Sequence, residues 1–253
     1  MNTKRTALIT GASSGIGMAT AKKLAPDYRL ILCGRRQERL DDLQKELSPI
    51  TEVITLVFDV RDKANVFAAI ESLPEAWQTI DVLINNAGNA HGLATFDAAD
   101  LDDLEAMIDI NVKGLIHVSK AVIPFIKQSK NGHIVNLSSI AGKEVYTNGA
   151  TYCASKAAVE SLSKGMRYDL LPYGVKVTNI APGAVETEFS LVRFKGDEEK
   201  SANVYKGFEP LVAEDIADTI AYALNAPQHV QIADVTIFPR AQAGGTAFFK
   251  KLD

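Results

Sequence analysis

A doubly wound α/β fold, one domain built on a seven-stranded parallel sheet, is predicted by three observations. Short β-type runs alternate with helical patterns from the first residues to about position 240. Several of those runs are apolar nearly throughout, as expected of parallel strands covered on both faces. The first run leads into a glycine-rich turn and then an Ala-rich helix. Alternation of this kind closes as a parallel sheet with helices on both faces.

Along the chain, the run 6–10 is the first strand; it enters TGASSGIG, and a helix follows over 15–25. The second strand, 30–33, ends at Cys33-Gly34 and is followed by a helix over 36–47 that opens on two arginines. The third, 52–58, closes on Asp59-Val60 before a helix over 62–72. The fourth, 81–85, closes on NNAG at 85–88. A long helix over 101–128 carries Leu104, Ile108, Asn111, Leu115 and Val118 on one inward stripe. The fifth strand, 133–137, precedes Ser139, and the helix 151–171 holds Tyr152 and Lys156. The sixth strand, 175–180, runs into Pro182; a helix over 214–225 and a last strand over 235–238 complete the set. Nothing resembles a linker or a repeat, so the whole of 1–253 is one dinucleotide-binding and catalytic domain.

Two regions depart from the rhythm. Residues 183–210 show little periodicity, many charges and several glycines, and they follow a strand's carboxyl end, where ligands bind in such sheets. A substrate lid is expected there. The tail 239–253 ends AFFKKLD, and Phe248 and Phe249 are expected to dock.

Composition removes several function classes. With 47% hydrophobic and 23% charged residues and a net charge of -4, the chain is an ordinary globular one with no basic face for nucleic acid or anionic membrane. The apolar stretch from Leu115 to Ile126 is interrupted by His117 and Lys120, so no segment has transmembrane length. The apolar run after Lys4 and Arg5 is too short for a signal peptide. Two cysteines without a CxxC pair and four scattered histidines offer no metal site. A cytoplasmic protein is the expectation. Cys153, beside Tyr152, has no histidine near it in sequence and reads as a small buried residue.

The glycine turn points to a nucleotide. Gly11, Gly15 and Gly17, with Ser13, Ser14 and Ile16 between them, allow a tight turn whose following helix offers N–H groups to a pyrophosphate. The spacing is GxxxGxG rather than the usual GxGxxG. After the second strand an NAD site would normally carry an acid for the ribose hydroxyls. Arg35 and Arg36 stand there instead, and guanidinium suits a 2′-phosphate, so NADP is expected. The alternative is a solvated basic start to a surface helix. Asp59 and Val60 are placed to meet the adenine, and Asn86 the cofactor ribose; by itself a strand-end Asp or Asn-rich turn is more often structural.

The chemistry lies in SIAGKEVYTNGATYCASK. Ser139 follows an apolar strand, Tyr152 comes thirteen residues later, and Lys156 is one helical turn beyond it. Positions i and i+4 share a helix face. Lowering a tyrosine pKa of about 10 by two or three units needs roughly 3–4 kcal/mol. An ammonium about 4–5 Å away supplies that much at an effective dielectric near 20. Lys156 is therefore expected to hold the Tyr152 hydroxyl near ionisation.

Together, TGASSGIG, NNAG, Asn111 within a helix, SSIAG, YCASK and PGAVET resemble the short-chain dehydrogenase/reductase family over nearly the whole chain, with its Rossmann-type sheet. GRRQERL at 34–40 and EFSLVRFKGD at 188–197 are similar to its NADP-dependent 3-hydroxy acid dehydrogenases, which include serine and L-allo-threonine dehydrogenases. The resemblance implies Tyr152 as general acid/base, Lys156 lowering its pKa and bonding the nicotinamide ribose, and Ser139 fixing the reacting oxygen. It implies Asn111 holding a water that links Lys156 to solvent; alone, Asn111 would be a satisfied core amide. It adds Pro182, Gly183, Val185 and Thr187 to the cofactor site and implies a homotetramer. Ala154, Ala158, Ser161 and Gly165 form a strip of small residues that could meet another subunit, or could pack within one. The substrate is expected to be a small carboxylate held partly by Arg193; Arg193 and Lys195 could instead bridge to Glu186, Glu188 or Asp197. The rival functions are the same chemistry on a 3-oxoacyl thioester, sugar or xenobiotic ketone, or an NADP-sensing module without turnover, which has no need of Ser139, Tyr152 and Lys156 together.

Overall fold

The computed structural model describes residues 4–251; residues 1–3, 252 and 253 of the expected domain and tail lie outside the described residues. In chain order the elements are β1 (Arg5–Thr10), α1 (Gly15–Leu24), β2 (Tyr28–Gly34), α2 (Gln37–Leu47), β3 (Val53–Val57), α3 (Lys63–Glu71), β4 (Val82–Asn85) and α4 (Leu101–Ile108). A π-helical turn (Asp109–Gly114) then leads into α5 (Leu115–Ile126), β5 (His133–Leu137), α6 (Ala150–Leu170) and β6 (Lys176–Pro182). The chain finishes with β7 (Val185–Glu186), α7 (Glu188–Arg193), α8 (Glu198–Tyr205), β8 (Leu211–Val212), α9 (Ala213–Leu224) and β9 (Asp234–Ile237).

Seven strands form one parallel sheet in the order β3-β2-β1-β4-β5-β6-β9. Alternate residues of β1 serve opposite layers, as the two-residue strand period requires. Ala7 and Ile9 pack with Leu40, Ile216 and Ile220 under α2 and α9. Leu8 packs with Val66, Val118 and Val122 under α3 and α5. Each fully buried aliphatic side chain contributes on the order of 2 kcal/mol by leaving water. The chain order reverses between β1 and β4, and the crevice at the carboxyl ends of these strands is where such sheets bind ligands.

The seven main strands and most helices start and end within one or two residues of their predicted limits. Three expectations change. The long helix over 101–128 is two helices joined by the π turn, which widens the coil around Asn111. The region 183–210 is not irregular: it holds α7 and α8, flanked by β7 and β8, which pair with each other. These helices are too short to show a period, but each is capped. Thr187 accepts from the Phe189 amide and Asp197 from the Lys200 amide. In the tail only one of the two phenylalanines is packed: the Phe248 ring lies 5.0 Å from that of Phe208, while Phe249 is 71% exposed. On α6, Ala154, Ser161 and Gly165 are exposed and Ala158 half-buried, so the small-residue strip faces outward rather than into its own subunit. Among the described residues no helix is long and apolar enough to cross a membrane.

Candidate active site

The carboxyl ends of the central strands open into one cleft of about 1020 Å³. The glycine turn forms its floor. Gly11 has φ +66°, a left-handed conformation that a side chain would strain. A Cβ on Gly17 would run into the Gly11 carbonyl oxygen and lie 2.6 Å from Asn86 Nδ2. That close packing exists because the Asn86 amide donates to the Thr10 carbonyl at 2.9 Å, tying β1 to β4 beneath the turn. Gly17 and Asn111 stand behind the cleft wall; the other predicted site residues line it.

At the end of β2, Arg36 donates to Ser14 Oγ at 2.7 Å and to Ser13 Oγ at 3.2 Å, fastening the arginine to the glycine turn. Arg35 points elsewhere, 3.7 Å from Asp59 and 60% exposed. Asp59 is itself held by Arg61 at 2.7 Å. Partial burial pushes the Asp59 carboxyl up, but hydrogen bonds from Arg61 and the charges of Arg61 and Arg35 outweigh this and hold it below the usual range. Asp59 is therefore an ion-paired carboxylate rather than a free acceptor.

Ser139 caps a single 3-10 turn (Ile140–Gly142), accepting from the Ala141 amide at 3.2 Å. Tyr152 and Lys156 project from α6 into the same part of the cleft, both buried. The lysine Nζ donates to the Leu137 carbonyl at 2.9 Å and lies 5.9 Å from the Tyr152 ring centroid. Burial lowers the Lys156 pKa to about 8. Burial also dominates at Tyr152, pushing its hydroxyl pKa up; hydrogen bonding by Ser139 and the charge of Arg193 oppose this only in part. The tyrosine is thus a neutral phenol here, because loss of water outweighs its neighbours' fields.

Asn111 sits in the π turn, its amide bonded at both ends: Oδ1 accepts from the Asn89 amide at 2.9 Å, and Nδ2 donates to the Asn89 carbonyl at 2.8 Å and to Ser155 Oγ at 3.0 Å. Ser155 in turn donates to the Tyr152 carbonyl at 2.7 Å. Asn111 therefore locks the loop after β4 against the helix that carries Tyr152. A Cβ on Gly88 would lie 2.9 Å from Asn111 Oδ1 and 3.3 Å from Lys156 Nζ, which explains glycine at the end of NNAG.

Much of the remaining wall comes from α7. Phe189 packs on Tyr152 with ring centroids 5.7 Å apart, and the Arg193 guanidinium lies 5.7 Å from the rings of both Tyr146 and Tyr152. Arg193 Nε donates to the Gly92 carbonyl at 3.1 Å, while the Gly92 amide donates back to the Arg193 carbonyl at 2.8 Å. Among the described residues Arg193 pairs with no carboxylate, so its bridge to Glu186, Glu188 or Asp197 is not made. Lys195 instead pairs with Asp103 at 2.8 Å. Sequence reasoning missed Tyr146, Phe189, Arg39 and Gln242. Only Arg39 carried a signal, as a third arginine in GRRQER; Gln242, which accepts from the Ala184 amide at 2.8 Å, carried none.

The short chain dehydrogenase family model matches residues 5–197. The chain belongs to this family. An NADP-dependent 3-hydroxy acid dehydrogenase of Schizosaccharomyces pombe is 42% identical over 98% of the chain and 97% of its own length. A sulfoacetaldehyde reductase 2 of Chromohalobacter salexigens is 45% identical over 93% of the chain and 94% of its own length. Among solved structures, the closed form of a serine dehydrogenase complexed with NADP+ superimposes with a TM-score of 0.90 at 38% identity, covering 97% of this short-chain dehydrogenase and 99% of that chain.

Proposed function

We propose that this short-chain dehydrogenase is an NADP-dependent oxidoreductase that moves a hydride between nicotinamide and the hydroxyl-bearing carbon of a small 3-hydroxy acid. The carrying observation is the meeting of Ser139, Tyr152, Lys156 and the carboxylate-free Arg193 in one cleft that continues to the glycine turn and Arg36. Relatives named for NADP and for 3-hydroxy acids or serine support the cofactor and the substrate class. We further propose a cytoplasmic homotetramer, supported by the outward-facing small strip of α6.

The residues present fit a dinucleotide. The turn leaves no room for a Cβ at Gly17, the cleft is of ligand size, and arginine rather than acid stands at the end of β2. Gly11, Ser13, Ser14, Gly15 and Ile16 would hold the pyrophosphate side, and Arg36 the 2′-phosphate. Asp59, Val60, Asn86, Pro182, Gly183, Val185 and Thr187 would line the rest. Bound there, NADP(H) supplies or accepts the hydride. In the reducing direction Tyr152, a neutral phenol, gives its proton to the substrate oxygen as negative charge develops on it. Ser139 donates a hydrogen bond to the same oxygen and fixes its position. Lys156, an ammonium below about pH 8, stabilises the tyrosinate that remains. Arg193 takes the substrate's anionic group, and closure of α7 and α8 excludes water and strengthens that pair.

A sulfonate is the second reading, favoured by the 45% identical sulfoacetaldehyde reductase, because a guanidinium fork accepts either anion. Initial rates with serine or 3-hydroxybutyrate, their methyl esters, and sulfoacetaldehyde separate the possibilities. The proposal expects the free acids to be preferred over the esters, with the preference largely lost in Arg193→Ala. Preference for an ester in the wild type defeats it, and sulfoacetaldehyde outrunning the acids' oxidation products installs the second reading.

A further inference from the structure

The first residue of the lid helix, Glu188, is held at the cofactor end rather than the substrate end. Its carboxylate accepts from Arg39 Nη1 at 2.8 and 3.0 Å and from Arg36 Nη1 at 3.2 Å. Arg36 and Arg39 lie about one turn apart at the start of α2, so two guanidiniums converge on one anion. The same Arg36 reaches Ser13 and Ser14 with its other nitrogen atoms, so this seat adjoins the glycine turn. Thr187, which caps the lid helix, faces that turn as well: a Cβ on Gly15 would be in ordinary contact with it at 3.4 Å. Hydrogen bonds from Arg39, then from Arg36, hold the Glu188 carboxyl below its usual range against partial burial.

We propose that Glu188 occupies the seat of the adenosine 2′-phosphate, so that a 2′-phosphate competes with it for Arg36 and Arg39. This rests on the NADP reading and extends it. It makes Arg39 a phosphate ligand and Glu188 a competitor carried on the lid. A phosphate monoester bears roughly -1.5 to -2 charge near neutral pH against -1 for a carboxylate, and has more acceptor oxygens. It therefore outbids Glu188 for the same forks. Arg35, turned toward Asp59, is not part of the pair. A consequence is that NADP, but not NAD, releases the start of α7 from α2, linking cofactor identity to the lid that carries Arg193.

Calorimetric titration with adenosine 2′,5′-bisphosphate and with 5′-AMP tests this on the wild type, Glu188→Gln and Arg39→Ala. Both side chains are nearly half exposed (45% and 46%), so folding is not at stake. An exposed ion pair changes an equilibrium constant by about 1.4- to 5-fold. Glu188→Gln should therefore tighten the bisphosphate about two- to tenfold and leave 5′-AMP unchanged. Arg39→Ala should weaken the bisphosphate roughly three- to tenfold, again without moving 5′-AMP. Unchanged or weaker bisphosphate binding in Glu188→Gln overturns the competition. Unchanged or tighter binding in Arg39→Ala means that Arg39 serves only Glu188, and overturns its role as ligand. A wild type that binds both probes equally removes the NADP reading itself, a result distinct from either variant's failure.

Discussion

At Tyr152 and Lys156, burial and charge act in opposite senses. The phenol is pushed toward its neutral form and the lysine toward its uncharged form by the same loss of water. The phenol thereby stays protonated but becomes a weaker acid, and alcohol oxidation, which needs the tyrosinate, depends on the remaining cations. Lys156→Met removes the α6 cation beside Tyr152 and leaves only Ser139 and Arg193 to oppose desolvation. The alkaline requirement for alcohol oxidation should then move to higher pH and cofactor binding should weaken. A pH profile of kcat/KM checks this, and an unmoved limb would assign Lys156 to ribose binding alone. The spacing of Ser139, Tyr152 and Lys156 was legible because helical periodicity places i and i+4 together. The sign of the tyrosine shift was not, because it depends on burial, to which Phe189 contributes from a distant part of the chain.

The elements divide by length in how far the sequence disclosed them. Strands such as 133–137 and helices such as α6 announce themselves by apolar runs or several turns of periodicity. The π turn at Asp109–Gly114 has no period of its own, and α7 and α8 have fewer than three turns each. Their caps were the readable signal: Thr187 before Glu188, and Asp197 before Glu198 and Glu199. For α7 the cap has a functional consequence, since Arg193 stands at the helix's other end. Thr187→Ala should cost about 1 kcal/mol of local helix stability. Amide exchange over 188–193 should accelerate about fivefold and the KM for substrate should rise, with Thr187→Ser restoring both. Unchanged exchange in the alanine variant would mean that the clasp between Arg193 and Gly92 alone sets the helix.

Over the whole molecule, two properties follow from what the sheet buries and what α6 leaves bare. His133 on β5 is enclosed, with Nε2 2.8 Å from Thr178 Oγ1. Burial, helped by the charges of Lys176 and Arg5, lowers its pKa from 6.5 to about 3. The unfolded chain therefore binds one more proton between those values. The contribution to stability is complete above pH 6.5 and is lost as the pH falls toward 3, with a slope approaching 1.4 kcal/mol per pH unit. His133→Gln should flatten the pH dependence of unfolding free energy between pH 6 and 4 by about one proton; an unchanged slope would place the acid sensitivity elsewhere. The parallel architecture was legible because several strands are apolar nearly throughout, but assembly was approached only through the α6 strip. Light scattering should give about four times the 27.3 kDa chain mass, and a monomer at micromolar concentration would remove the tetramer. The central claim is that Tyr152 moves the proton while NADP carries the hydride. Its most direct test is the initial rate of NADP+ reduction, followed by NADPH absorbance, with serine or 3-hydroxybutyrate and wild type or Tyr152→Phe. The account predicts turnover by the wild type and a loss of at least about a hundredfold in the variant, with NADP+ binding intact. Tyr152→Phe keeping most of its kcat would contradict it.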